Sequence, residues 1–315
     1  MKTSASGTLL LLFLVFIGIS NGIAQTPVPF YYYQSLIFVK AKINNGRTNF
    51  LFLINTGANT TVISKKTADI LKLPVVRDVD SVIGTAGREP VSICKLRALS
   101  IGDAQVKDFE VTKRDLSKFV TYNGQQIDGI IGTDFLKNYA FTIDFVAKKL
   151  LFANKKIAVG KQKNIPFTVV DGIPRIVAKL DDTLVTYLHY NSGVSMESSR
   201  NNYFNISYTQ WVELKKLNPH INHTTFFSGK GVGGDVYMQV VKISNVQLNK
   251  NDVRNPYIII QNKEGYFERD DAIGFFGNNV LEKYNRVSVD FIGNNIVFQS
   301  SQKPMVASKK GTRKK

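Results

Sequence analysis

Two short stretches hold the residues whose types and spacing could do chemistry: Leu51-Phe52-Leu53-Ile54-Asn55-Thr56-Gly57-Ala58-Asn59-Thr60 and Tyr187-Leu188-His189-Tyr190-Asn191-Ser192-Gly193-Val194-Ser195. In each, an extended run feeds an amide, a hydroxyl and a glycine. The hydroxyl can donate and accept hydrogen bonds, and the glycine permits a tight turn. An asparagine amide neither takes up nor gives a proton near neutral pH, so it positions a water without activating it. Other candidate acids are Asp128, Asp134, Asp144 and Asp290, which the pattern places at turns and strand ends. His189, His220, His223 and the lone Cys94 form no cluster with ligand spacing, so neither a metal nor any other cofactor is expected. Cys94 lies in the apolar run Val91-Ser92-Ile93-Cys94 and reads as a buried small hydrophobe; with one cysteine, no intrachain disulfide can form.

The elements that must carry these stretches follow from the patterning. Phe38 to Ile43 alternates as a strand, Asn44-Asn45-Gly46 supplies a hairpin turn, and Asn49 to Ile54 is the partner strand. Val62 to Leu73 has helix-like apolar spacing with Pro74 as its stop. Ser81 to Gly87 breaks into a glycine-flanked tip, strands are expected at Val91 to Ile101 and Val106 to Thr112, and the half closes with Ile127-Asp128-Gly129-Ile130-Ile131-Gly132. A short helix over Asp134 to Tyr139 and a strand over Phe141 to Phe145 follow. The second half repeats the order: a turn at Asp181-Asp182, the Asn191 stretch, a helix over Tyr208 to Leu217, a tip at Gly229 to Gly234, then Gly274-Phe275-Phe276-Gly277 and a strand over Val287 to Phe291. Asn55 and Asn191 are 136 residues apart; Gly129 and Gly274, Gly132 and Gly277, Leu136 and Leu281, and Tyr139 and Tyr284 are each 145 apart. A register held over a segment and slipped between segments is what duplicated lobes with loop insertions produce.

At 315 residues the chain suits two lobes of ordinary domain size. Met1-Lys2-Thr3 followed by the apolar run Leu9 to Ile19 and small residues up to Ala24 reads as a signal peptide, too short for a membrane span. The expected division is 1–24 signal peptide, 25–160 first lobe, 161–302 second lobe and 303–315 a basic, disordered tail, with the mature protein secreted or periplasmic. The formal charge is +17, of which six basic residues lie in the tail, leaving +11 for the rest. The tail could touch an anionic surface. No recognition motif for DNA or RNA is present, and no nucleic-acid partner is expected. Asn59-Thr60-Thr61, Asn205-Ile206-Ser207 and Asn222-His223-Thr224 are formal glycosylation sequons.

The two stretches, each followed by Gly-x-x-Gly, make the chain from about Leu36 to Phe298 resemble the aspartic peptidases of the retropepsin and pepsin superfamily. That resemblance implies a mainly β, bilobal acid-protease fold of two homologous β-barrel lobes with short helices. It assigns Asn55 and Asn191 to the dyad positions, Thr56, Gly57, Ser192 and Gly193 to the loops around them, and Gly84, Thr85, Ala86 and Gly87 with Gly231, Val232 and Gly233 to substrate-binding flap tips. The family signature has aspartate at both dyad positions, where two carboxylates share a proton and divide the roles of acid and base. Here both are asparagine. The resemblance therefore implies a monomeric pseudo-peptidase that holds an extended peptide or protein segment in its cleft. Two alternatives stand beside it: a structural or surface-interaction protein on an inherited fold, and an active endopeptidase with a non-standard dyad. His189, at a position usually apolar in the family, fits drift of a site released from catalysis.

Overall fold

The computed structural model describes residues 26–84, 87–119, 121–195, 201–222, 225–231 and 234–299. The signal segment, the basic tail, Thr85, Ala86, Val232 and Gly233 lie outside the described residues.

The first half opens with β1 (Val28–Tyr33), β2 (Leu36–Ile43), β3 (Phe50–Ile54), β4 (Val62–Ser64) and α1 (Lys65–Ile70). It continues with β5 (Val75–Ile83), β6 (Arg88–Ile101), β7 (Ala104–Arg114) and the two-residue strands β8 (Thr121–Tyr122) and β9 (Gln125–Gln126). It closes with β10 (Gly129–Ile131), α2 (Thr133–Leu136), β11 (Ala140–Asp144) and β12 (Lys149–Ala153). The second half runs β13 (Lys163–Pro166), β14 (Thr168–Val170), β15 (Ile173–Leu180), β16 (Leu184–Tyr190), β17 (Tyr203–Ser207), α3 (Tyr208–Leu217), β18 (Thr225–Gly231) and β19 (Gly234–Lys242). Then come β20 (Asn245–Leu248), β21 (Asn251–Arg254), β22 (Tyr257–Gln261), a 3-10 turn at Gly265–Glu268, β23 (Gly274–Phe276), α4 (Asn278–Leu281), β24 (Arg286–Asp290) and β25 (Asn295–Gln299).

A 13-stranded sheet takes β13, β25 and β24 from the second half and joins them edge on to β11, β12 and the strands of the first lobe; a 10-stranded sheet builds the second lobe. The seam is antiparallel, with Thr142 opposite Ser288 and their hydroxyls 2.7 Å apart in the interior. One apolar cluster runs through both halves, from Phe30 and Ile54 to Tyr190, Val289 and Phe298. The fold is mainly β and bilobal, as the paired stretches imply.

Local chemistry explains the elements. In β15 burial alternates, with Pro174, Ile176, Ala178 and Leu180 covered, and in β16 Leu184, Leu188 and Tyr190 are covered, the two-residue period of a strand with one covered face. The Asp181-Asp182 turn takes φ of 49° and 54°, the left-handed region that short polar side chains tolerate. The β2–β3 turn places its positive φ at Asn44 and Asn45 rather than at Asn45 and Gly46, so the two asparagines, not the glycine, carry the strained positions. Helix α3 has the expected limits because Ser207 and Gln210 form a capping box: Gln210 N–H donates to Ser207 Oγ at 3.2 Å and the Gln210 side chain accepts from Ser207 N–H at 3.0 Å.

One expectation fails. Val62 to Leu73 is not a single helix: Val62-Ile63-Ser64 is a strand between β10 and β7, and only Lys65–Ile70 is helical. Val62 and Ile63 are β-branched and find strand partners on both sides, while Ser64 accepts from Thr67 N–H at 3.0 Å and caps the helix there. The helix expected over Asp134 to Tyr139 is also shorter, at Thr133–Leu136.

Candidate active-site cleft

Each of the two stretches is seated by the same three-strand device. In the first lobe β10 runs between β3, to which it is parallel, and β4, to which it is antiparallel. Asn55 N–H donates to Ile131 O at 2.9 Å, so the loop leaves its strand directly above β10. In the second lobe β23 runs parallel to β16 and antiparallel to β17, and Asn191 N–H donates to Phe276 O at 2.9 Å. Glycine is required at the start of each middle strand because a Cβ on Gly129 would strike the Phe52 ring and Val62 O, and one on Gly274 the Asn205 backbone.

The two loops clasp one another through hydroxyls. Thr56 Oγ1 donates to Tyr190 O at 2.8 Å and accepts from Ser192 N–H at 2.9 Å; Ser192 Oγ donates to Ile54 O at 2.9 Å and accepts from Thr56 N–H at 3.0 Å. Thr56 and Ser192 are buried, whereas Asn55, Gly57, Asn191 and Gly193 are half-buried. Asn55 Oδ1 accepts from Gly57 N–H at 2.8 Å, and Asn191 Oδ1 from Gly193 N–H at 3.0 Å. Each carboxamide also lies against the opposite loop: a Cβ on Gly57 would run into that of Asn191, and a Cβ on Gly193 into that of Asn55. The amide orientations follow from chemistry, since a glycine N–H needs an oxygen and not an NH2 opposite it.

The four aspartates weighed from sequence are held by scaffold hydrogen bonds, Asp144 within its own turn and the other three by partners distant in the chain. Asp128 accepts from Leu51 N–H and Thr67 Oγ1, and Asp144 from the N–H groups of Val146 and Ala147. Asp290 accepts from the N–H groups of Ile157, Ile292 and Gly293. Asp134 accepts from Thr61 N–H at 2.8 Å and Thr61 Oγ1 at 2.6 Å, and burial raises its carboxyl above the ordinary range. Among the described residues no group of three potential metal ligands lies together. Cys94 is buried, and burial raises its thiol pKa.

His189 is half-buried behind the second loop, with Nδ1 3.1 Å from Pro174 O and Nε2 3.4 Å from the Tyr266 hydroxyl. The carbonyl calls for a proton on Nδ1, leaving Nε2 to accept from Tyr266. Burial lowers the imidazole pKa, and neighbouring Arg175 acts in the same direction. Tyr266 also reaches the other lobe: its N–H donates to Gly84 O at 2.9 Å, at the base of the β5–β6 tip, which Gly84 N–H closes onto Gly87 O at 2.7 Å. Gly231 ends β18 opposite Gly234 in the second tip.

Sequence reasoning passed over Asn278. Fully buried, it donates from Nδ2 to Ser35 O at 2.7 Å and Ser192 O at 3.2 Å, and accepts from Tyr190 Oη at 2.7 Å, so it ties the second loop to the first lobe. The 145-residue repeat sets it opposite Thr133, whose hydroxyl donates to Ala58 O at 3.2 Å. That correspondence was the signal available. A second interlobe tie joins the Tyr32 hydroxyl to the Glu282 carboxylate, with Lys148 4.4 Å above the Tyr32 ring; burial raises both pKa values.

The comparisons agree with this geometry. Residues 39–135 match a family model described as aspartyl protease. The crystal structure of the aspartic proteinase from Irpex lacteus is similar in fold, with a TM-score of 0.53 and 12% identity, over 90% of this chain and 100% of that one. No curated protein matches the sequence. Residues 39–135 are thus similar in sequence to aspartyl proteases, and the chain as a whole shares the fold of an aspartic proteinase.

Proposed function

We propose that this protein is a pseudo-peptidase, exported on the strength of Met1 to Ala24, which holds an extended peptide or protein segment in the cleft between its lobes and does not cut it. One observation carries the reading: the loops keep the whole interlobe clasp of Thr56 and Ser192, yet the groups at the dyad positions are carboxamides whose oxygens are already taken by Gly57 and Gly193 N–H. With neither a proton acceptor nor a proton donor beside a bound water, peptide hydrolysis lacks both its base and its acid. The β5–β6 and β18–β19 hairpins would supply main-chain hydrogen bonds to an extended ligand.

The test is hydrolysis of a mixed peptide library across acid to neutral pH by the mature protein and by Asn55→Asp with Asn191→Asp. The expected result is a silent wild type and an active double variant. Cleavage by wild type shown by mass spectrometry to be free of deamidated Asn191 would overturn the reading.

A further inference from the structure

The geometry points to the Asn55 and Asn191 pair as a carboxylate-binding site on the cleft floor; this rests on the peptide-holding reading and names the chemistry it selects. Each Oδ1 accepts from a glycine N–H, and the polar groups of the pair left without a partner are two NH2 groups with four hydrogens. Neither nitrogen has an acceptor among the described residues, and the half-burial of both side chains leaves them reachable from solvent. The contact of each carboxamide with the opposite loop's glycine sets the two side by side across the lobe boundary.

The count of lone pairs selects the ligand. A water could accept two of the four hydrogens, but it carries no charge to strengthen the contact. A peptide carbonyl has one oxygen and two lone pairs, leaving half of the donors unmet. A carboxylate has two oxygens with about four lone-pair sites, and its hydrogen bonds are charge-assisted. An aspartate dyad carrying a negative charge would repel that group; the asparagine pair does not, and the chain as a whole carries a formal charge of +17. A peptide C-terminus and a Glu or Asp side chain are the two sources of such a carboxylate.

The experiment uses one fluorescent, N-terminally blocked extended peptide in four forms: free C-terminal acid, C-terminal amide, amide with an internal Glu, and amide with Gln at that position. Anisotropy titrations are run on the mature protein, on N55D/N191D and on N55A/N191A. Wild type should bind at least one carboxylate form about tenfold more tightly than its neutral counterpart, and which form it prefers identifies the source. Both double variants should lose the preference, the alanine pair because its donors are gone and the aspartate pair because it repels. Equal affinity for acid and neutral forms on wild type overturns the carboxylate site while leaving peptide binding intact. A preference that survives in N55A/N191A assigns it to general positive charge and overturns the site as well. If the alanine variant does not fold, the nearly isosteric aspartate variant decides by the same criterion. Failure of every form to bind overturns both the site and the peptide-holding reading.

Discussion

Replacing Thr56 by Val tests whether the interlobe clasp holds the cleft together. The substitution keeps the side-chain shape and removes one hydroxyl, which leaves Ser192 N–H without its 2.9 Å acceptor and Tyr190 O without its 2.8 Å donor. Both groups are in the dry centre of the molecule, since Thr56 is 0% and Ser192 1% exposed. A buried polar group stripped of its partner costs about 1–3 kcal/mol, so two cost about 2–6 kcal/mol, and the extra methyl contact offsets a small part. A loss of about 3 kcal/mol at about 2–4 °C per kcal/mol lowers the melting temperature by about 6–12 °C. Ser192→Ala strips the mirror pair, Thr56 N–H and Ile54 O, and should cost a similar amount. Because each hydroxyl is positioned by the other loop, the double variant should lose less than the sum of the two, a coupling of about 0.5–3 kcal/mol. Thermal unfolding followed by circular dichroism gives all three values. A Thr56→Val protein that melts with wild type, or strictly additive losses, would refute the clasp as a cooperative unit.

Two further outcomes follow from the site. Asn278→Ala removes three hydrogen bonds at once, of which the one to Ser35 O crosses between the lobes, and leaves Ser35 O, Ser192 O and Tyr190 Oη unmatched, so calorimetry should show a loss of about 3 kcal/mol or more; a wild-type melting temperature would contradict that role. His189 has a depressed folded pKa, so below its ordinary value of 6.5 the unfolded chain takes up a proton that the folded chain refuses. Stability should therefore be lost as pH falls from about 6.5 towards the depressed value, and His189→Gln should flatten that part of the profile; parallel slopes for the two proteins would contradict it.

Much of this was legible in the sequence because the fold's demands are local. Positive φ at turns, Gly where strands cross under each loop, and alternation along β15 and β16 all leave marks in residue type. The 145-residue repeat then doubled every mark. Val62 to Leu73 misled because its apolar spacing satisfies a helix, while the strand pairing that overrides it comes from Gly129–Ile131 and Thr112–Arg114, far along the chain. Asn278 was invisible for a related reason. A polar residue opening a short helix looks like a cap, and its partner Ser35 O comes from the other lobe, 243 residues away.

The seam between the lobes has a symmetry of its own. Asp144 and Asp290 are 146 residues apart, one more than the preceding segment of the repeat; at that offset Thr142 pairs with its own equivalent, Ser288, and the flanking rungs Ala140 with Asp290 and Asp144 with Arg286 exchange under the same swap. A ladder that is its own image is the isologous contact of a twofold homodimer, here built into one polypeptide. Joining the halves makes their association independent of concentration and lets the two copies diverge. Ala58 already corresponds to Val194, and Thr56 to Ser192, at the offset that relates Asn55 to Asn191. A strictly twofold groove would read a strand identically in either direction; on the peptide-holding reading proposed above, this one has the means to tell the N-terminal end of a strand from the C-terminal end.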